Sequence, residues 1–239
     1  MKNFKAYIIE AAQLTLQYHD ELNPELWQDL KLRPEVKDKL IQIGNAWAKF
    51  AKIPADIIYD MILVGGNANF NYTNFSDIDL HLIIDKSKLS ESPKLLDEYL
   101  KDKKELWSLS HSIKIYGHDV ELYAQDINDT FPKGQGVYSL LKDDWLMMPS
   151  RQEVDLHNPH IQKKVDDYIS RIDSLINSNA ELEQFDKLKK KFKNMRTSGI
   201  KRAGEFSEEN LIFKELRNLG YLDKLSKYLK TKLDQNLSI

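Results

Sequence analysis

Apolar residues recur along this chain with two different periods, and the switches between them mark out the elements. Over 3–17, Phe4, Tyr7, Ile8, Ala11, Ala12 and Leu14 fall on or near one face at helical spacing, which predicts a helix. A stronger stripe runs over 34–51 through Val36, Leu40, Ile43, Trp47 and Phe50, with Pro34 suited to a first turn and Pro54 as a stop. Ile57 to Val64 is a short apolar run that ends at Gly65-Gly66, and it predicts a buried strand centred on Met61–Val64. Asn67 to Ser76 is polar and aromatic, a loop or short helix. From Asp77 to Ile84 the residues alternate between acidic or polar and apolar, beginning Asp77, Ile78, Asp79, Leu80, His81, Leu82. That alternation predicts a strand with one face in a core and the other in a site. Helical spacing returns over 93–110 through Leu95, Leu96, Tyr99, Leu100 and Leu106, and 112–123 alternates again as a third strand.

Beyond a loop with Pro132, Gly134 and Gly136, residues 137–148 predict a hairpin around Lys142-Asp143-Asp144. From Asn158 onward the pattern is mainly helical. Ile161, Val165, Tyr168, Ile169, Ile172 and Ile176 make one amphipathic face, and Ser207 is placed to cap a helix through Leu211, Phe213 and Leu216. The fold class expected is α+β. A helical segment over 1–33 precedes a small mixed sheet flanked by helices over 34–132, and a mainly helical region, read as a bundle, covers 133–239.

Composition changes this picture little: 239 residues, 41% hydrophobic and 10% aromatic, supply core for one substantial domain or two small ones. Charge narrows the function classes. Charged residues make up 30% of the chain, yet the net charge is −2, so nothing in the whole-chain balance points to nucleic acid or to acidic substrates. Any basic surface is local. Residues 186–202 carry eight basic residues and one acidic, which reads as a phosphate or nucleic-acid contact or as the solvated face of a helix. The absence of cysteine excludes disulfides, thiolate metal sites and a cysteine nucleophile. No apolar run approaches the roughly 20 residues that span a bilayer. The first residues, MKNFKAYIIEAAQLTLQ, lack the apolar core and cleavage site of a secretory signal. A soluble cytoplasmic protein without a membrane partner is expected.

The chemistry concentrates in ILVGGNANFNYTNFSDIDLHLIID, residues 62–85. Residues two apart in a strand point the same way, so Asp77 and Asp79 project side by side. Two carboxylates that close repel each other, and a cation would compensate. Mg²⁺, or Mn²⁺ in its place, suits hard oxygen ligands. Gly65-Gly66 permits a tight turn with positive φ and close backbone approach to a ligand. A short helix starting near Asn67 would point its N–H groups at the same space, which suits phosphate. A third carboxylate comes from the next strand, where Asp119 and Glu121 share a face. His81 shares the face of Asp79 and reads as a supporting neighbour. Phe70, Tyr72 and Phe75 either stack on a base or wedge the loop against the core.

Glycine-glycine, a gap of about a dozen residues, Asp-hydrophobic-Asp and a distal acidic strand resemble the DNA polymerase β-like nucleotidyltransferase superfamily. The helix–strand–helix–strand–helix–strand order read over 34–125 is similar to the order in that family. The resemblance implies that Asp77 and Asp79 hold the catalytic metals and that Gly65 and Gly66 form the phosphate-binding turn. It selects Glu121 as the third carboxylate, a third metal ligand that completes the metal shell and helps to activate the attacking hydroxyl. It also implies cations from the helical part reaching a triphosphate, here Lys201, Arg202, Lys214 and Arg217. Two positions depart from the pattern: Gly66 stands where serine is frequent, and Glu121 where aspartate is usual. GGNANFNYTNFSDIDLHLIID and KRAGEFSEENLIFKELRNLG further resemble small nucleotidyltransferase-like proteins of tailed phages. MKNFKAYIIEA is similar to capsid-targeting segments of phage head proteins, beside its plainer reading as an amphipathic helix.

What the resemblance implies is transfer of a nucleoside monophosphate from a nucleoside triphosphate to an acceptor hydroxyl, by two-metal phosphoryl transfer. The acceptor is left open among RNA or tRNA, a protein side chain and a small molecule. Two rivals stand beside this reading. One is a nucleotide-binding phage protein without turnover that acts on a host partner, and the other is a metal-dependent hydrolase using the same carboxylates.

Overall fold

The computed structural model describes residues 14–132, 134–151 and 155–239, which form two compact units. Most of the helix expected over 3–17, and the capsid-targeting resemblance, lie outside the described residues. Residues 14–17 are described and are not helical.

The first unit, residues 18–153, is built on a sheet. It opens with a two-residue hairpin, β1 (Trp27–Gln28) and β2 (Lys31–Leu32). Helix α1 (Pro34–Phe50) follows, and strand β3 (Ile58–Val64) runs up to the glycine pair. A 3-10 turn, Gly66–Ala68, leads by a loop to β4 (Ile78–Ile84), and α2 (Pro93–Ser110) crosses over from β4. The alternation over 112–123 is not one strand. Tyr116 and Gly117 both take positive φ and fold the chain into β5 (Lys114–Ile115) and β6 (His118–Asp126). The hairpin expected over 137–148 is present as β7 (Val137–Ser139) and β8 (Asp144–Met147).

Strand order is β5-β6-β4-β3-β7-β8. Only β4 and β6 pair in parallel, as a crossover helix between them requires, and the other pairs are antiparallel. The sheet has two unlike faces because side chains alternate. Leu80, Leu82, Ile84, Leu63 and Leu122 enter one core with Leu40 and Trp47 of α1 and Leu96 and Leu100 of α2. Trp47 is fully buried, and its truncation to Ala would cost about 3–5 kcal/mol. On the other face Ile62, Val64 and Val137 form a small apolar cluster with Ile83, Phe131 and Met147. Asp79 and His81 share that face.

The sheet unit is wider than the 34–132 expected from periodicity. Trp27 stacks on Trp145, with ring centroids 4.8 Å apart, which ties the β1–β2 hairpin to β8. Strands β7 and β8 extend the same sheet, so 18–33 and 133–153 belong with it.

The second unit is helical: α3 (Pro159–Asn177), α4 (Leu182–Ala203), α5 (Glu208–Asn218) and α6 (Tyr221–Leu237). Ile161, Val165, Ile172, Phe185, Phe192 and Leu216 fill its core. Asn158 caps α3, its side chain accepting from the His160 and Ile161 N–H groups. Ser207 occupies the N-cap position of α5, but its hydroxyl makes no capping bond. The chain's N-terminal part joins this unit: the N–H and hydroxyl of Thr15 donate to the buried Glu215 carboxylate at 2.8–3.0 Å.

Candidate functional site

Asp77 and Asp79 stand where the alternation places them. Ile78, Leu80 and Leu82 are buried in the core, while Asp77, Asp79 and His81 are half-buried on the opposite face. Pairing sets their neighbours. Asp79 lies opposite Val64 of β3 on one side and Glu121 of β6 on the other. The parallel β4–β6 register therefore puts Asp79 beside the third candidate carboxylate, Glu121.

The glycine turn packs directly on this row. Gly65 has φ +77°, and a Cβ built there would lie 1.8 Å from Asp79 Oδ2. Only glycine leaves room for that carboxylate. At Gly66 a Cβ would lie 2.9 Å from Ser76 Oγ. A side chain at 66 would thus press on the hydroxyl of Ser76. The bonds within the turn start at the Ala68 and Asn69 N–H groups, so those of Gly66 and Asn67 take no part in them.

Asn67 follows within the 3-10 turn. Its side chain is fully buried and committed: Nδ2 donates to the carbonyls of Ser76 (3.1 Å) and Asp77 (3.0 Å), and Oδ1 accepts from Asn23 (3.1 Å). What it can offer a nucleotide is backbone alone. His118, on the face of β6 opposite Glu121, closes the network. Its Nδ1 lies 2.6 Å from the Ser76 carbonyl and must carry the proton, so Nε2 accepts from Asn23 Nδ2 at 3.1 Å. Asn23, Asn67, Ser76 and His118 form a closed, buried ring of hydrogen bonds that clamps the chain where it enters Asp77.

On β6, Glu121 Oε2 accepts from Lys104 Nζ of α2 at 2.8 Å and from the Tyr123 hydroxyl at 2.6 Å. The Lys104 ammonium lies over the Tyr123 ring. His81 Nδ1 donates to Gln125 Oε1 at 2.7 Å. Burial, chiefly, pushes the His81 pKa below its ordinary value, with Lys104 acting the same way and Gln125 and Glu121 opposing. The imidazole is therefore neutral near pH 7. Asp119 is turned to Lys114, 2.7 Å away.

Among the described residues, no three or more His, Asp or Glu side chains gather into a cluster that could hold a metal ion. Magnesium does not need one. It commonly takes one or two carboxylates and completes its shell with water and substrate phosphate oxygens. Asp77 and Asp79, both hard oxygen donors on one face beside the Gly65 turn, fit that donor set.

The structure thus brings Asp79 beside Glu121 on one face of the sheet, with Asp77 two residues before Asp79 and the Gly65-Gly66 turn packed against Asp79. Lys201, Arg202 and Lys214 belong to the helical unit. There Arg202 pairs with both oxygens of Glu209 at 2.6 and 2.7 Å, the largely buried Lys214 pairs with Glu205, and Lys201 is exposed. The basic run of 186–202 is the solvent face of α4, with Phe185, Leu188 and Phe192 on its buried side. Of the loop aromatics, Phe70 packs on the core and Tyr72 stacks on His19, whereas Phe75 is exposed. Lys104 and Tyr123 were not legible as site residues. Tyr123 follows Glu121 at the strand period and carried that much signal, but Lys104 reaches the site from α2 and carried none.

No family model and no curated protein sequence matches the chain. Among solved structures it is similar to a STING-associated CdnE c-di-GMP synthase from Capnocytophaga granulosa, at 15% identity and a TM-score of 0.22, over 84% of this chain and 81% of that one. It is also similar to the E. coli MS115-1 CdnC:HORMA-deltaN complex, at 14% identity and a TM-score of 0.24, over 79% of this chain and 61% of that one. Overlaps this slight leave the site's own geometry as the ground for its chemistry. Among the described residues, no helix is long and apolar enough to cross a membrane.

Proposed function

We propose that the chain is a nucleotidyltransferase that moves a nucleoside monophosphate from a nucleoside triphosphate to an acceptor hydroxyl. The observation that carries this reading is the row Asp79–Glu121 across β4 and β6, with Gly65 packed against the Asp79 carboxylate. Asp77 and Asp79 would hold Mg²⁺, which neutralises phosphate charge and lowers the barrier to in-line displacement. The Gly66 and Asn67 N–H groups take no part in the turn's own bonds and suit phosphate oxygens. Glu121 takes the acceptor's proton at a carboxylate oxygen as the acceptor attacks the α-phosphorus and pyrophosphate leaves. The Asn23–Asn67–Ser76–His118 ring holds Asp77 in place and the Gln125 contact holds His81, so positioning is built before substrate arrives.

One observation favours a second reading, nucleotide binding without turnover. Glu121 is engaged by Lys104 and Tyr123 and must shift its bonding to act as a base. Transfer from α-labelled nucleoside triphosphates, with Mg²⁺ or Mn²⁺, into RNA, protein and small-molecule fractions separates the two. Label that is lost in a folded Asp77→Asn/Asp79→Asn variant supports the transferase. Nucleotide bound tightly with no label in any fraction supports the binding protein.

A further inference from the structure

Strand β6 has an open side. β5 pairs only with His118 and Asp119, so among the described residues the outer edge from Glu121 to Asp126 meets no strand. A cavity of about 410 Å³ lies along that edge, bounded by α2. Leu100 of α2 with Leu122 and Ala124 of β6 make it apolar, and Tyr123 and Lys104 complete its wall. Those last two residues are the donors to Glu121, at 2.6 and 2.8 Å. The cavity wall and the candidate third carboxylate are therefore one hydrogen-bonded unit.

Size and charge describe the occupant. The volume is in the range of small-molecule sites. The charges around it are paired among themselves: Lys86 with Asp97 at 2.8 Å, Lys101 with Glu105 at 3.6 Å and Lys104 with Glu121 at 2.8 Å. No net positive field is left there to draw a polyanion.

We propose that this cavity is the acceptor site, and that the acceptor is a small, neutral or zwitterionic hydroxyl compound with an apolar or aromatic body. The inference rests on the transferase reading. The body of the acceptor packs on Leu100, Leu122 and Ala124, and its hydroxyl turns toward Tyr123 and Glu121. The hydroxyl oxygen forms the new bond to the α-phosphorus, the bond from that phosphorus to the pyrophosphate oxygen breaks, and the hydroxyl proton passes to Glu121.

Two variants fill the cavity from different sides, Ala124→Phe from the strand and Lys101→Trp from the exposed face of α2, where folding is at little risk. The direct probe is 4-fluorobenzyl alcohol, followed by the broadening of its fluorine NMR signal on addition of protein. Binding to the wild type is expected, weakened about tenfold or more in both variants, with ATP affinity unchanged. In the labelling experiment, label is expected in the small-molecule fraction and lost in both variants. No probe binding to the wild type overturns the proposal. Label on RNA or protein that survives both fillings also overturns it, and leaves the transferase reading standing. Probe binding that the variants block, with no fraction labelled, removes the transferase reading and the acceptor role together.

Discussion

The carboxylate of Asp79 occupies the space that any side chain at position 65 would need, since a Cβ on Gly65 would lie 1.8 Å from Asp79 Oδ2. Gly65 also holds φ +77°, where a Cβ adds strain. Gly65→Ala therefore acts on the fold and the site together. It is expected to destabilise the protein by about 2 kcal/mol or more in urea unfolding and to abolish Mg²⁺-dependent nucleotide binding. Unchanged nucleotide affinity in this variant would separate the turn from the site.

Asn67 yields a prediction of a different kind, because its side chain is structural. Asn67→Leu removes the donor to the Ser76 and Asp77 carbonyls and the acceptor for Asn23. Buried polar groups left without partners cost about 1–3 kcal/mol each. A loss of about 3 kcal/mol or more in urea unfolding is expected, and weaker nucleotide binding because the chain at Asp77 loosens. Asn67→Asp keeps the acceptor toward Asn23 but replaces the donor with oxygen facing two carbonyls, so it should be no better tolerated.

These two residues show how much was legible. A period of two sufficed to put Asp77 and Asp79 on one face, and a run of apolar residues ending in Gly65-Gly66 located β3. Three features lay beyond that reach. The Asp79–Glu121 adjacency depends on a parallel register formed across the whole of α2, and it entered through family resemblance instead of periodicity. The break at Tyr116-Gly117 was hidden inside an alternation that continues through it. The buried role of the Asn67 side chain is announced by no local pattern, because Asn23, from which it accepts, stands 44 residues away and its acceptors at Ser76 and Asp77 are backbone carbonyls. Arg202 and Lys214 pair within the helical unit with Glu209 and Glu205, which stand close enough in sequence to suggest those ion pairs.

Lys104 should control the demand for metal. Its ammonium donates to Glu121, so a cation seeking that carboxylate competes with it. Lys104→Met removes the competitor and leaves the Tyr123 contact. The ion pair is partly exposed, so the stability change should stay within about 1 kcal/mol. The half-saturating Mg²⁺ concentration for transfer is expected to fall severalfold. A rise would show that Lys104 serves the reaction directly, as a phosphate ligand.

A pH dependence is written into the β7–β8 hairpin. The Tyr138 hydroxyl, 2.9 Å from Asp143 Oδ1, is the main cause holding the Asp143 carboxyl below its ordinary pKa, followed by Lys37 at 3.1 Å. A depressed folded-state pKa means that the unfolded chain binds a proton more readily. The resulting stability is fully present above the ordinary carboxyl pKa of 3.8 and is lost as pH falls through the lower folded value. Asp143→Asn keeps the positive-φ turn, which asparagine tolerates, and cannot titrate. Its melting temperature is expected to start below that of the wild type near neutral pH. Between about pH 5 and about pH 2 the variant should lose less than the wild type, so that the two converge in acid. Parallel melting curves over that range would show that the Tyr138–Asp143–Lys37 contact contributes nothing to folding.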